Sequence, residues 1–365
     1  MKKILMYVNS MNALGGIERV IANLSDKFSD YYNVTILVKD KPISAYKLND
    51  KVKIQSLNVE LKMNMNSRMN RIVNVFVNCF KSRRALKKYL VANTFDYIYT
   101  AFPTNGLEAY LADKTYHNKI IASEHASYYA YNFVYRKIKG WLYPRLKAIS
   151  VPTTMDTDIY KELGYKAYYI PHLNTYSETH NNELNSKRII NVGRLTSDKQ
   201  QMLLLDIWKN VFDNIDDKEW KLQIIGSGEE EEHLKEKIIR DDIKNVEMIS
   251  HTSRIADYYK NAELFVFTSK MEGFGMVLLE AMSFGVPCIS FDCPSGPRDI
   301  IKDNINGFLI DCYKQNEFSN VVISYIKKSS SERRRLSQNA LKTIHEWDNF
   351  KIINQWNNIF SKLND

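Results

Sequence analysis

The stretch richest in reactive side chains is residues 269–301, SKMEGFGMVLLEAMSFGVPCISFDCPSGPRDII. Two carboxylates, Glu272 and Glu280, frame seven intervening residues, with Gly273, Phe274 and Gly275 directly after the first. An apolar run at 264–267 precedes them, and Gly285 and Pro287 punctuate the far end as they do at helix C-termini. A strand, a glycine turn and then a helix leave backbone N–H groups unpaired at the helix start, which is a ready anion site. In open α/β sheets ligands bind outside the carboxyl ends of the strands, where both glutamates are expected. By itself, Glu280 reads equally well as an acid favoured by its helix dipole.

Other residues carry weaker signals. Arg194 and Lys199 follow the apolar run 188–192 and, by type and place alone, are surface residues of a βα loop. His125 closes the apolar run 119–122 at a carboxyl end, as a ligand-facing group or as a hydrogen-bonded structural histidine. Gly15 and Gly16 allow close backbone approach to a phosphate or an acceptor, or simply make a tight turn. Asp156-Thr157-Asp158 has the DxD form of a metal site, but its setting between VPTTM and IYKELG reads as the first turn of a surface helix. His172, His180 and His251 lack metal-ligand spacing. No metal is expected.

These residues need a scaffold. At 365 residues the chain exceeds the ~250–300 that one hydrophobic core usually serves, so two domains are expected. Strand-like runs at 4–9, 34–38, 97–100, 120–122 and 148–151, with a helix at 17–28, suggest βαβ units and a parallel sheet. The same rhythm restarts with strands at 188–192, 222–225, 247–249, 264–267 and 287–291. Helices fit at 201–212, 229–239, 255–260 and 276–284. Domains are therefore placed at 1–172 and 188–345. A polar linker at 173–187 separates them, and a helical tail at roughly 346–365, anchored by Trp347 and Trp356, packs back on the first.

Composition is that of an ordinary globular protein, 44% hydrophobic and 25% charged. Cys79, Cys288, Cys293 and Cys312 have no metal or CxxC spacing and read as reduced cytosolic thiols. The start MKKILMYVNS imitates a secretory signal, but its apolar run ends at Val8, short of the ~7–15 residues required. The net charge of +9 is unevenly spread. Residues 61–95 hold Lys62, Arg68, Arg71, Lys81, Arg83, Arg84, Lys87 and Lys88 and no acid. Arg136, Lys137, Lys139, Arg145 and Lys147 interleave with Tyr135, Trp141 and Tyr143. Such surfaces suit an anionic leaflet, at ~1 kcal/mol per cation, or are solvated helix faces. No nucleic-acid motif accompanies them.

Together the motifs resemble family 4 retaining glycosyltransferases of the GT-B fold. The resemblance rests on five ordered elements: Gly15-Gly16-Ile17-Glu18-Arg19, Ser123-Glu124-His125, Gly193-Arg194-Leu195 with Lys199, Ile225-Gly226-Ser227-Gly228-Glu229, and Glu272–x7–Glu280. It implies two Rossmann-like, doubly wound α/β domains facing a central cleft. It also implies that Arg194 and Lys199 hold the donor diphosphate, and that Glu280 binds the ribose hydroxyls. Glu272 with Gly273, Phe274 and Gly275 would touch the sugar, and His125 the reaction centre. Gly15, Gly16, Gly193 and Gly226 complete the donor-binding set. The family often has a glycine where this chain has Ser250-His251-Thr252, which leaves the base less defined. The implied activity is metal-independent, retaining transfer of a hexose or N-acetylhexosamine from a UDP-sugar, with no other cofactor. The implied acceptor is a polyprenyl-diphosphate-linked glycan of bacterial capsule, O-antigen or exopolysaccharide synthesis. It would be met by a cytoplasmic, peripheral enzyme at the inner membrane face. A nucleotide-sugar epimerase and a non-catalytic nucleotide-sugar- or glycan-binding subunit are the alternatives.

Overall fold

Short runs of β-branched and aromatic residues separated by amphipathic helices fold into two parallel sheets in the computed structural model, which describes residues 1–59, 68–176 and 185–363. Lys62, His180 and residues 177–184 of the expected linker lie outside the described residues. The chain divides into two compact units: Met1–Leu173 with Asn349–Asp365, and Asn174–Asp348.

Unit 1 contains strands β1 (Lys3–Tyr7), β2 (Asn33–Val38), β3 (Lys53–Ser56), β4 (Tyr97–Thr100), β5 (Ile120–Ser123), β6 (Ala148–Val151) and β7 (Ala167–Tyr169). Its helices are α1 (Gly16–Phe28), α2 (Arg68–Ala92), α3 (Pro103–Ala112), α4 (Phe133–Leu142) and α5 (Thr154–Glu162). Unit 2 contains β8 (Arg188–Val192), β9 (Lys221–Ile225), β10 (Val246–Ile249), β11 (Leu264–Phe267), β12 (Cys288–Phe291) and β13 (Gly307–Ile310). The helices α6 (Gln201–Asp213), α7 (Glu231–Arg240), α8 (Ile255–Lys260), α9 (Met276–Ser283), α10 (Pro297–Ile300), α11 (Gln315–Lys327) and α12 (Ser330–Glu346) cover that sheet. The last helix, α13 (Asn349–Lys362), belongs to unit 1 and buries Trp356 and Phe360 against Phe28, at ring distances of 5.7 and 5.5 Å.

The strand orders are β3-β2-β1-β4-β5-β6-β7 and β10-β9-β8-β11-β12-β13, every pairing parallel. Order reverses between β1 and β4 and between β8 and β11, and at such switch points the connections diverge to leave a crevice outside the strand ends. All residues of β4, β5, β6, β11 and β12 are buried, as strands covered on both faces require.

The central strands follow the apolar runs closely; β4, β6, β8 and β11 coincide with them. The edge strands β3 and β7 carry no comparable run, because an edge strand needs few apolar residues and takes its register from its neighbour, and the structure adds a further edge strand, β13, at the apolar run 308–310. One local reading is corrected. Asp156 and Thr157 do open helix α5, capped by Thr153, but both are buried, not on the surface. Only Asp158 of the DxD trio is exposed; Asp156 instead lends its charge to buried Lys139.

Candidate functional site

Beside the second switch point the turns after β8 and β9 are laced face to face. After β8 the Gly193 and Leu195 N–H groups donate to the Ile225 and Ser227 carbonyls at 3.1 and 3.0 Å, and Glu230 N–H donates back to the Leu195 carbonyl at 3.0 Å. A Cβ on Gly226 would lie 1.8 Å from the Gly193 carbonyl oxygen, and one on Gly228 2.2 Å from that of Leu195. Those backbone atoms cannot retreat, so this packing excludes any side chain there.

The loop after β8 then runs to α6 and is stitched to the loop after β11. Lys270 N–H donates to the Asp198 carbonyl at 2.8 Å, and Thr268 Oγ1 to that of Lys199 at 3.1 Å. The stitching brings Lys199 Nζ to 2.5 Å from Glu272 Oε1, with the side chains only 18% and 11% exposed. Two residues 73 apart in sequence thus form an ion pair between the loops that follow β8 and β11. Arg194 is exposed, makes no ion pair among the described residues, and has its carbonyl held by Gln201 Nε2 at 3.0 Å.

Helix α9 starts at Gly275, whose φ of 87° is left-handed and whose N-terminal end has no side-chain cap. The Phe274 ring is 3% exposed, packed in the core against Trp347 at 5.7 Å. The Phe274 ring is therefore a core residue, closed off from solvent. Glu280, 5% exposed, accepts from Thr175 Oγ1 and Tyr259 OH at 3.2 Å each, one on each carboxylate oxygen. Arg298, further along, grips Asp292 with two bonds at 3.0 and 2.8 Å. The structure thus joins Lys199 to Glu272 directly. Arg194 follows β8, Gly273 lies in the loop after β11 and Glu280 in the helix α9 that this loop leads into, β8 and β11 being paired neighbours.

In unit 1, Gly15 is the N-cap of α1 in extended conformation, its carbonyl accepting from Tyr46 OH at 3.1 Å, and Gly16 has open space around it. β5 delivers Glu124 and His125. Glu124 is buried and takes the Lys139 ammonium at 2.9 Å together with the Tyr143 hydroxyl. Lys139 and Tyr143, expected in a basic surface cluster, are therefore interior residues: the ammonium lies 3.4 Å from the Tyr131 ring centre and is satisfied by a buried carboxylate. His125 is half-buried; its Nε2 meets Tyr99 OH at 2.9 Å, while Nδ1 is shielded from water and has no hydrogen-bond partner among the described residues. The ring stacks on His172 at 5.3 Å and 20°. Burial pushes the His125 pKa down to about 3 and that of His172 well below its ordinary value, so both rings are neutral near pH 7. Tyr99 in turn packs on Trp356 of α13 at 5.6 Å.

Tyr99, His172, Thr175 and Tyr259 were not legible as site residues, since no spacing links them to His125 or Glu280. Part of the second basic cluster is exposed beside aromatic rings. Arg145 stacks on half-exposed Trp141 at 4.4 Å, and Lys137 lies 5.3 Å from exposed Phe133. α2 presents Phe80, Lys81, Arg84, Lys87, Lys88 and Val91. No helix among the described residues is long and apolar enough to cross a membrane.

Two parallel sheets, each with a reversal of strand order, and Lys199, Glu272 and Glu280 following strands of the second are the features of a glycosyltransferase of two Rossmann-like domains. The chain belongs to that class: residues 14–172 match Glycosyltransferase Family 4 and residues 174–343 match Glycosyl transferases group 1. It is 29% identical over 375 residues to the amylovoran biosynthesis glycosyltransferase AmsD of Erwinia amylovora, covering 99% of this chain and 100% of that one. It is 24% identical over 372 residues to the Campylobacter jejuni GalNAc-alpha-(1->4)-GalNAc-alpha-(1->3)-diNAcBac-PP-undecaprenol alpha-1,4-N-acetyl-D-galactosaminyltransferase, covering 100% and 99%. Among solved structures, S. aureus TarM in complex with fondaparinux, alpha-GlcNAc-glycerol and UDP shares the fold, with a TM-score of 0.79 at 16% identity over 99% of this chain and 100% of that one.

Proposed function

We propose that this chain is a retaining hexosyl- or N-acetylhexosaminyltransferase that moves a sugar from a UDP-sugar to a polyprenyl-diphosphate-linked glycan, without a metal. The observation that carries the reading is the Lys199–Glu272 pair at the β8–β11 switch point, a cation held ready beside a helix start. As the bond from sugar to diphosphate breaks, negative charge grows on the leaving group. Lys199 and Arg194 then bind the transition state more strongly than the ground state, the role a metal takes in other enzymes. The free amides at the start of α9 add to that field. Glu280 accepts from the ribose hydroxyls, and Glu272 with the 273–275 backbone contacts the transferred sugar. His125, neutral and with a spare ring nitrogen, hydrogen-bonds the sugar. With the diphosphate leaving from one face and the acceptor hydroxyl attacking on that same face, no enzymic nucleophile is required.

The UDP donor is supported by neighbours of like fold solved with UDP or UDP-glucose. The lipid-linked acceptor is supported by the name of the Campylobacter relative. The exposed cations and aromatics of α2 and α4 support docking on the cytoplasmic face of an anionic membrane.

A panel of UDP- and GDP-sugars tests the donor by protection against thermal unfolding, since a ligand at ~100 times its Kd adds ~2.7 kcal/mol. Arg194→Ala and Glu280→Ala should each lose about tenfold or more in kcat/KM. Wild-type kcat/KM in both would remove the assignment.

A further inference from the structure

Arg194 joins an exposed side chain, with no ion pair among the described residues, to a backbone held from two directions. A long cationic side chain loses rotamer freedom when a ligand fixes it, and the loss is smaller when the backbone beneath it is already set. The peptide unit that follows Arg194 is set at both ends. Its N–H, that of Leu195, donates to the Ser227 carbonyl at 3.0 Å, and its carbonyl accepts from Gln201 Nε2 at 3.0 Å. Thr196 N–H reaches the same carbonyl at 3.1 Å.

Gln201 is the first residue of α6 and is 2% exposed. Its bond back to Arg194 closes residues 194–201 into a loop that also carries Lys199, and Gln200, left-handed at φ 55°, turns the chain from that loop into the helix. The orientation of the amide is decided by its partner: a carbonyl only accepts, so Nε2 must face Arg194. Oε1 then faces away, where it is buried with no hydrogen-bond partner among the described residues. An acceptor left so destabilises the fold. A polar group kept despite that cost, in a loop carrying two cations, points to a role other than stability. Lys199 does not need it, since Thr268 holds its carbonyl and Glu272 its ammonium. Arg194 does.

We propose that Gln201 is a positioning residue that fixes the Arg194 backbone so that the guanidinium meets the donor diphosphate with little left to order; this rests on the reading of Arg194 as a group that binds that diphosphate. Gln201 then matters to the nucleotide only through Arg194. A near-isosteric apolar side chain at 201 removes the bond and the orphaned acceptor together, while the Arg194 carbonyl keeps the Thr196 N–H. Stability is retained and nucleotide affinity falls.

Calorimetric titration of UDP compares the wild type, Gln201→Met, Arg194→Ala and the double variant, with Tm recorded for each and Gln201→Leu as a second apolar replacement. Gln201→Met should weaken UDP about three- to tenfold, as loss of one hydrogen bond implies, with Tm at or above that of the wild type. On the Arg194→Ala background the same substitution should change UDP affinity by less than about twofold, because the group it positions is gone. Wild-type UDP affinity in both Gln201 variants overturns the proposal. So does a loss equally large with and without Arg194, which marks a merely structural role. Wild-type UDP affinity in Arg194→Ala overturns the diphosphate reading of Arg194 and the inference with it. A wild type with no affinity for UDP overturns the donor reading itself.

Discussion

Removing the Lys199 ammonium strikes the site at its electrostatic centre, and the structure sets the size of the effect. In the free protein the ammonium lies 2.5 Å from Glu272 Oε1, with 18% and 11% of the two side chains exposed. That places the pair between exposed ones, worth ~0.2–1 kcal/mol, and buried ones, whose breaking costs ~3–5 kcal/mol. Lys199→Ala should therefore lower stability by about 1–3 kcal/mol. Its effect on UDP should be larger in kind. The variant loses a charge-assisted bond of ~1.5–3 kcal/mol, about tenfold to a hundredfold in Kd. It also leaves the Glu272 charge without its cation where a diphosphate must enter. Glu272→Gln placed on the Lys199→Ala background should recover part of that affinity. Calorimetric titration of UDP into the wild type, both single variants and the double variant, at one ionic strength, closes a double-mutant cycle. The expected coupling is about 1 kcal/mol or more, against the ~0.3–0.5 kcal/mol within which independent sites add. Wild-type UDP affinity in Lys199→Ala, or an additive cycle, would refute the placing of the diphosphate beside this pair.

Three further outcomes follow from particular residues. The folded state refuses a proton at His125 that the unfolded chain accepts near the ordinary pKa of 6.5, so stability is full above 6.5 and falls as pH drops towards about 3. His125 contributes at most ~1.4 kcal/mol per pH unit to that slope, His172 adding its own in the same direction, and His125→Asn should remove the His125 share; equal urea midpoint losses between pH 7 and pH 5 in both proteins would contradict the neutral ring. Lys139→Met should cost about 3–5 kcal/mol in urea unfolding, because it strands the buried Glu124 carboxylate; a loss below about 1 kcal/mol would contradict the buried ion pair. Neutralising Arg83, Arg84, Lys87 and Lys88 together should reduce co-sedimentation with anionic vesicles at low salt, whereas unchanged binding would reject α2 as a membrane-facing surface.

Local chemistry carried a good deal of this protein in its sequence alone. Runs such as 97–100, 188–192 and 264–267 became central strands with little change of boundary, because a strand buried on both faces must be continuously apolar. The glycines of the 226–228 turn and the helix opening at Gly275 were legible too, since close backbone approach and a left-handed φ restrict the residue type locally. What sequence could not decide is where side chains far apart in the chain meet. Lys139 looked like surface charge until Glu124 and three tyrosines enclosed it, and nothing in the sequence marks the Phe274 ring as packed on Trp347. The pairing of Lys199 with Glu272, the stacking of His125 on His172 and the pinning of Glu280 by Thr175 and Tyr259 all span loops of tens of residues. Their geometry is fixed by strand order and helix packing, and neither is encoded in the spacing of any single motif.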